Sequence, residues 1–172
     1  MVVPEQSSRV DRAVTDLWRY YDEHAAQARQ HEDLRATVTS ILAGFAAGLV
    51  GFAGIGGLEP SDVPAGVLVV AIGVLGALLS MKHYERNRFH VQVLGAVREE
   101  ITKLRADPGR APLSTADLRG RAEKKHGKEF SFRREKPKQG SWLVQTSLSR
   151  LWVALHLAVA AVGAVIIGVS LA

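Results

Sequence analysis

The fold is decided by residues 36–81, ATVTSILAGFAAGLVGFAGIGGLEPSDVPAGVLVVAIGVLGALLSM. No charged side chain occurs in 36–58 or in 63–81, and the acids Glu59 and Asp62 lie between these two runs. Each run is about 20 residues long, and at ~1.5 Å per residue a helix of that length crosses the ~30 Å hydrocarbon core of a bilayer. The polar residues between the runs are typical of a tight turn, because the proline among them cannot continue a helix. The sequence therefore predicts a membrane hairpin of two helices.

A third apolar run covers residues 151–171, with His156 as its only ionisable side chain. The predicted fold class is all-α: an integral membrane protein with three transmembrane helices and a cytoplasmic helical extension. We expect residues 7–105 to hold an amphipathic N-terminal helix, the hairpin and a helical continuation of its second span. Residues 106–141 are expected to form a loop, a short helix and a basic linker, and 142–172 the third span. His156 lies near the start of that span, so we expect it to reach the membrane interface.

The basic residues predict the orientation. Five of the 22 Lys and Arg lie in residues 1–35, none in 36–81, seventeen in 82–150 and none after Arg150. Because basic segments stay on the cytoplasmic side of a membrane, the N-terminus and residues 82–150 are predicted inside and the C-terminus outside. We therefore expect a multi-pass protein of the inner (plasma) membrane, with the first span acting as an uncleaved insertion signal.

Two apolar stripes flank the hairpin in sequence. The first follows one helical face of the N-terminal segment: Val10, Val14, Leu17, Trp18, Tyr21, Ala25 and Ala28. The second is a narrow seam with alternating spacings of three and four, and it continues from the second span: His90, Leu94, Val97, Ile101 and Leu104. Antiparallel docking of these two helices is the expected arrangement. An interfacial helix lying on the membrane and an oligomerisation seam are the alternatives for the first stripe.

All three spans are rich in small residues at spacings of three and four. Such spacing lets helix backbones approach closely in lipid, where no hydrophobic force drives helices together. The predicted helix-packing residues are Gly44, Ala47, Gly48, Gly51, Gly73, Ala77, Ala160, Ala164 and Gly168. They favour close packing either within one chain or between copies of it, and we expect a homo-oligomer in contact with membrane lipids.

The composition excludes several chemistries. The chain has no cysteine, which excludes disulfides, thiol catalysis and Cys-ligated metals. No Asp, Glu, Lys or Arg lies within the apolar runs 36–58, 63–81 and 151–171, which argues against an ion-coupled transporter. His83, Asn87 and His90 share one helical face, but a metal site there would lack a third ligand at a defined spacing. An enzyme acting on lipid would have to use His83, Glu85 and His90 without a nucleophile. No catalytic residue, cofactor or metal is therefore predicted, and the protein is not expected to be an enzyme.

The segment between the second and third spans is polar. Ser114–Asp117 resembles a capping box that opens a short helix ending near Gly127. The basic residues that follow are expected to contact anionic lipid: Arg133, Arg134, Lys136 and Lys138. A mobile linker and nucleic-acid binding are the alternatives for this stretch, and nucleic acid is not expected as a partner. Trp142 and Trp152 bracket the entry to the third span, as residues of an aromatic belt do.

The layout of residues 10–105 resembles a known family. Its Tyr20-Tyr21 helix leads into a Gly-rich span, and a second span leaves the membrane through the juxtamembrane motif, defined here as Tyr84, Glu85, Arg86, Phe89 and His90. This arrangement is similar to the SLATT group, the SMODS- and SLOG-associating two-transmembrane effector domains of bacterial conflict systems. The resemblance implies an oligomeric effector in antiviral (antiphage) defense that forms pores or disrupts the membrane. Its trigger would be a separate sensor protein that responds to a nucleotide signal. The third span departs from a two-helix layout. The alternative is an adaptor membrane protein whose cytoplasmic helices recruit a soluble partner through the seam of residues 94–104.

Overall fold

The computed structural model describes the backbone of residues 4–130 and 148–172, and the side chains of residues 8–128 and 150–172. All regular structure within those ranges is helical. The helices are α1 (Pro4–Ala53), α2 (Val63–Ala106), α3 (Thr115–Phe130) and α4 (Leu148–Ser170), with a 3-10 turn at Pro60–Asp62 between α1 and α2. By length and composition α1, α2 and α4 are each able to cross a membrane. The predicted all-α class is confirmed, and so is the prediction of three helices that are long and apolar enough to cross a membrane.

The first helix ends earlier than the apolar run that predicted it. The run continues to Leu58, but α1 ends at Ala53. Gly56 and Gly57 follow with φ of +89° and +99°, a region that side chains with a Cβ rarely adopt. The glycines therefore end the helix while the sequence is still apolar. The 3-10 turn that follows is held by a hydrogen bond in which the N–H of Glu59 donates to Asp62 Oδ2 at 2.9 Å.

The described residues divide into two compact units. The polar unit contains residues 4–31 and 85–130, and the apolar unit contains residues 32–84 and 148–172. The long helices α1 and α2 each contribute to both units, whereas α3 belongs to the polar unit and α4 to the apolar unit.

The polar unit has its own hydrophobic core. Its buried members come from α1, α2 and α3: Leu17, Val93, Val97, Ile101, Leu104, Leu118 and Ala122. Val10, Val14 and Tyr21 of the α1 stripe pack against this core, whereas Trp18 of the stripe is exposed. Leu113 from the loop and Phe89 from α2 pack against it as well. Burying one aliphatic side chain of this kind contributes about 1.5–3 kcal/mol. Both stripes seen in the sequence are therefore used within the chain.

A buried carboxylate organises the loop between α2 and α3. Glu100 is 1% exposed, and it accepts the N–H of Leu113 and the guanidinium of Arg110, each at 3.0 Å. Its charge is thus compensated by one ion pair and one backbone hydrogen bond, as a buried charge requires. Ser114 then caps α3, because its Oγ accepts the N–H of Asp117 at 3.1 Å. The helix runs to Phe130, three residues beyond the Gly127 end expected from the sequence.

In the apolar unit α4 packs antiparallel to α2. Gly66 lies beside Gly163 and Ile167, while Gly73, two turns further along α2, lies beside Ala160, nearer the start of α4. The far end of α4 reaches the 3-10 turn. Because both helices present glycine at the crossing, their backbones approach until an added Cβ would overlap the other helix.

Candidate functional site

A histidine inside the apolar unit joins all three of its helices. The His156 side chain of α4 is 2% exposed, and its Nε2 shares a hydrogen bond of 3.1 Å with Thr39 Oγ1 of α1. Its ring lies against Gly76 of α2, where a Cβ would approach the ring carbon Cγ to 2.8 Å. The sequence predicted that His156 can reach the membrane interface; in the structure its side chain is buried among α1, α2 and α4. The physical reason is that the missing side chain at Gly76 leaves room for the imidazole.

A second polar contact lies one helical turn away on both helices. Arg35 of α1 is 3% exposed, pairs with Glu32, and places its guanidinium 5.2 Å from the centre of the Trp152 ring of α4. Trp152, which was expected in an aromatic belt, thus serves as a cation–π partner. Arg35 and Thr39 are four residues apart on α1, and Trp152 and His156 are four residues apart on α4. The two contacts therefore lie one helical turn apart between α1 and α4, which run parallel to each other.

Some polar atoms near these two contacts are buried without hydrogen bonds. Within the described parts of the chain, Arg35 Nε and Nη1, Trp152 Nε1 and Ser80 Oγ have no hydrogen-bond partner. An unsatisfied polar group costs free energy even in a membrane protein. The unsatisfied atoms of Arg35 and Trp152 therefore offset part of the stabilisation that their contact gives.

The predicted helix-packing residues fall into two groups. Gly73 lies at the α2–α4 crossing with Ala160, and Ala77 on α2 is buried to 7% exposure. The other six are exposed: Gly44, Ala47, Gly48, Gly51, Ala164 and Gly168. The four glycines among these six have no atom within 4 Å of the position that a Cβ would take. Of the predicted helix-packing glycines, packing within one chain thus uses Gly73 of α2 and leaves Gly44, Gly48 and Gly51 of α1 and Gly168 of α4 open.

The open glycines of α1 form a shallow apolar groove, called here the α1 groove. It is lined by Ser40, Ile41, Gly44, Phe45, Gly48 and Leu49. The Phe45 side chain beside it is 67% exposed. Two glycines four residues apart with large apolar neighbours are the arrangement by which membrane helices pair closely.

The juxtamembrane motif does not form one site. Glu85 lies 3.8 Å from the His126 ring of α3, and Phe89 packs edge-on against the same ring with centroids 5.8 Å apart. Arg86 is exposed, and Tyr84 belongs to the apolar unit. His90 is buried and lies 2.8 Å, nitrogen to nitrogen, from a histidine of α1.

That histidine is His24, which the sequence reasoning missed. It lies seven residues after Leu17 and four before Ala28, so its place on the buried stripe could have been read from the spacing. His24 and His90 are 9% and 8% exposed. Burial lowers the pKa of both imidazoles, and for His90 the nearby histidines and arginines join burial in lowering the pKa to about 4.

Asn87, from the face once considered for a metal, donates its side-chain N–H to Ala28 O at 3.0 Å. Among the residues that the structure describes, no group of three or more His, Asp or Glu could hold a metal ion. The basic residues proposed to contact lipid lie outside the described residues, as does Trp142: Arg133, Arg134, Lys136 and Lys138. What the arrangement can do chemically is pack helices, bury polar contacts and bind protons.

Comparison of the chain with protein-family models, with curated proteins and with solved structures finds no match.

Proposed function

We propose that this chain is a membrane effector that assembles with copies of itself through the α1 groove and then permeabilises an inner membrane. The observation that carries the proposal is the unequal use of glycines. The glycines at the contact of α2 with α4 are packed against the chain's own helices, namely Gly66, Gly73, Gly76 and Gly163. Gly44 and Gly48 of α1 instead face outward with nothing within 4 Å and line the α1 groove. Assembly through such a face needs no movement of the packed helices, and close backbone contact then supplies the attraction that lipid does not.

The need for several copies follows from packing inside one copy. At the α2–α4 crossing a Cβ on Gly73 would lie 2.5 Å from the Ala160 nitrogen, which leaves no room for ions between those helices. A permeation path would therefore form between chains. The small residues on the outer face of α1 would line or seal it.

The proposed orientation places the N-terminus and the polar unit in the cytoplasm and the C-terminus outside. It rests on the basic residues, which are concentrated in 1–35 and 82–150 and are missing from the turn between α1 and α2. In this orientation the polar unit is the part that a cytoplasmic sensor would meet. The resemblance to SLATT effectors suggests a separate sensor protein that responds to a nucleotide signal as the trigger.

The adaptor alternative has less support from the packing. The seam at residues 94–104 was the surface expected to recruit a partner, but Val97, Ile101 and Leu104 are each at most 3% exposed within the chain. A recruited partner would have to use the outer, charged faces of the polar unit instead. No particular observation favours such a surface over self-association.

The proposal is tested by disulfide trapping and by dye leakage. Because the chain has no cysteine, Ala47→Cys introduces a single thiol beside the α1 groove. We expect oxidation in membranes to give a covalent dimer, and the same variant with Gly48→Leu to give much less of it. Gly168→Leu is the matched control, since that glycine is equally open but lies on α4.

The same Leu variants, without the cysteine, are then placed in liposomes filled with a fluorescent dye. Gly48→Leu should reduce leakage, and Gly168→Leu should leave it unchanged. A chain that cross-links through α1 but never releases dye, even with cell extract that carries the trigger, would contradict the effector function while keeping the interface. If the Gly48→Leu variant cross-links as well as the parent, the interface itself is wrong.

A further inference from the structure

Two imidazoles connect α1 and α2 in the polar unit. His24 Nδ1 and His90 Nδ1 are 2.8 Å apart, and both side chains are buried. The Tyr20 ring lies edge-on to His24 with centroids 4.6 Å apart. His31 stacks on His90 with centroids 5.4 Å apart. The pair is thus flanked by two aromatic rings of α1.

The contact between the two nitrogens accommodates one proton. When both histidines are neutral, one Nδ1–H donates to the lone pair of the other Nδ1, and the acceptor ring carries its own proton on Nε2. One added proton can occupy the free Nε2 of the donor ring, which makes that ring positive and keeps the hydrogen bond. A second added proton must occupy the accepting Nδ1, and it removes the lone pair there. Two N–H groups and two positive rings would then face each other at 2.8 Å. The hydrogen bond becomes a repulsion, so the doubly protonated pair must separate or lose a proton.

The charged groups around the pair also disfavour a second proton. From α1 these are Glu23 and His31, from α2 Arg86, and from α3 Arg119. Glu23 alone favours a positive imidazole, whereas the two arginines and His31 oppose it. Tyr20, which touches His24, contributes a ring and no charge, because burial raises its pKa above the usual 10.

We propose that the His24–His90 pair is a proton-operated latch that holds the α1 and α2 segments of the polar unit together at neutral pH and releases them on acidification. The ligand is the proton alone. The opening itself is independent of the proposed effector function. Only a coupling of that opening to membrane permeability would rest on the proposed function.

The direction and size of the effect follow from linkage. The pKa of His90 is lowered from 6.5 to about 4 in the closed contact, so an opened form binds a proton more readily at any pH between these values. The latch is therefore at full strength above pH 6.5 and weakens as the pH falls toward 4. Taking His90 alone, the ratio of open to closed forms should rise about tenfold between pH 7.5 and 5.5.

The experiment measures the distance between α1 and α2 in the full chain in nanodiscs. Cysteines at the exposed positions Ala26→Cys and Val91→Cys carry nitroxide labels, since the chain has no other thiol. Pulsed electron resonance at pH 7.5, 6.5, 5.5 and 4.5 should show a longer-distance population that grows about tenfold relative to the short one by pH 5.5. A distance distribution unchanged over this range overturns the proposal.

Variants identify the titrating groups. His24→Phe with His90→Phe removes both protonation sites and should make the distances independent of pH. His126→Gln, in the same unit but paired with Glu85, should keep the response. If the double variant keeps the pH response and His126→Gln loses it, the proposal is overturned. The double variant could differ from the parent in its label distance already at pH 7.5. In that case the proposal is tested by the nitrogen-15 chemical shifts of the imidazoles in the parent protein. If His24 and His90 both titrate near 6.5 while the distance stays constant, a latch is excluded.

Discussion

Adding a single methyl group at Gly73 should separate α2 from α4. A Cβ there would lie 2.5 Å from Ala160 N, 2.7 Å from His156 O and 2.8 Å from Ala160 Cα, and all three are backbone atoms that cannot rotate away. The helices would have to move apart by roughly 1 Å, and overpacking of this kind costs about 1–3 kcal/mol.

The control for Gly73→Ala is Gly51→Ala. Both variants gain the same preference of alanine for a helix, about 1 kcal/mol, so the difference between them isolates the packing cost. Gly51 has nothing within 4 Å and lies outside the α1 groove, so its new methyl group meets no atom of the chain.

Thermal unfolding of the purified protein in detergent, followed by circular dichroism, measures the difference. At about 2–4 °C for each kcal/mol in a chain of this size, Gly73→Ala should melt roughly 2–12 °C below Gly51→Ala. Equal melting temperatures would mean that the α2–α4 crossing does not hold the apolar unit together. In that event the division of the glycines into used and open groups would lose its energetic basis.

Two further contacts give predictions of the same kind. Glu100→Gln should destabilise the protein by about 1–3 kcal/mol, because it removes the negative charge that accepts hydrogen bonds from Arg110 and from the N–H of Leu113. Glu99→Gln removes only an exposed pair and should change the melting temperature little. Equal melting temperatures for the two glutamate variants would refute the assigned role of Glu100. Thr39→Val and His156→Phe should each destabilise the protein, but together by less than the sum, with a coupling of about 0.6–1.7 kcal/mol in a double-mutant cycle of unfolding free energies. Strict additivity would mean that their hydrogen bond contributes nothing.

The architecture could be predicted from hydropathy because the relevant signals are long. Charge-free runs of about 20 residues have few alternatives to membrane helices. The α1 stripe that contains Leu17 also packs against the α2 seam that contains Val97, as expected. The end of α1 could not be predicted as well, since Gly56 and Gly57 end a helix without any change in hydropathy. A local backbone preference outweighed the apolar pattern there.

The internal contacts were harder to predict because they join residues far apart in sequence. Thr39 and His156 are 117 residues apart, and His24 and His90 are 66 apart. Spacing can place His24 on a buried face, but it cannot name the residue that meets it. The same holds for the glycines, because nothing local distinguishes Gly73, which packs against α4, from Gly44, which does not.

The side chains at positions 76 and 156 compete for the same space, although the two positions are far apart in sequence. Any residue larger than glycine at 76 displaces the imidazole, and any residue smaller than histidine at 156 leaves a void. In related chains that keep this packing, a larger side chain at one of the two positions should therefore accompany a smaller side chain at the other. The two positions would then evolve as a single unit, and a change at one that is damaging alone should become tolerable once the other has changed.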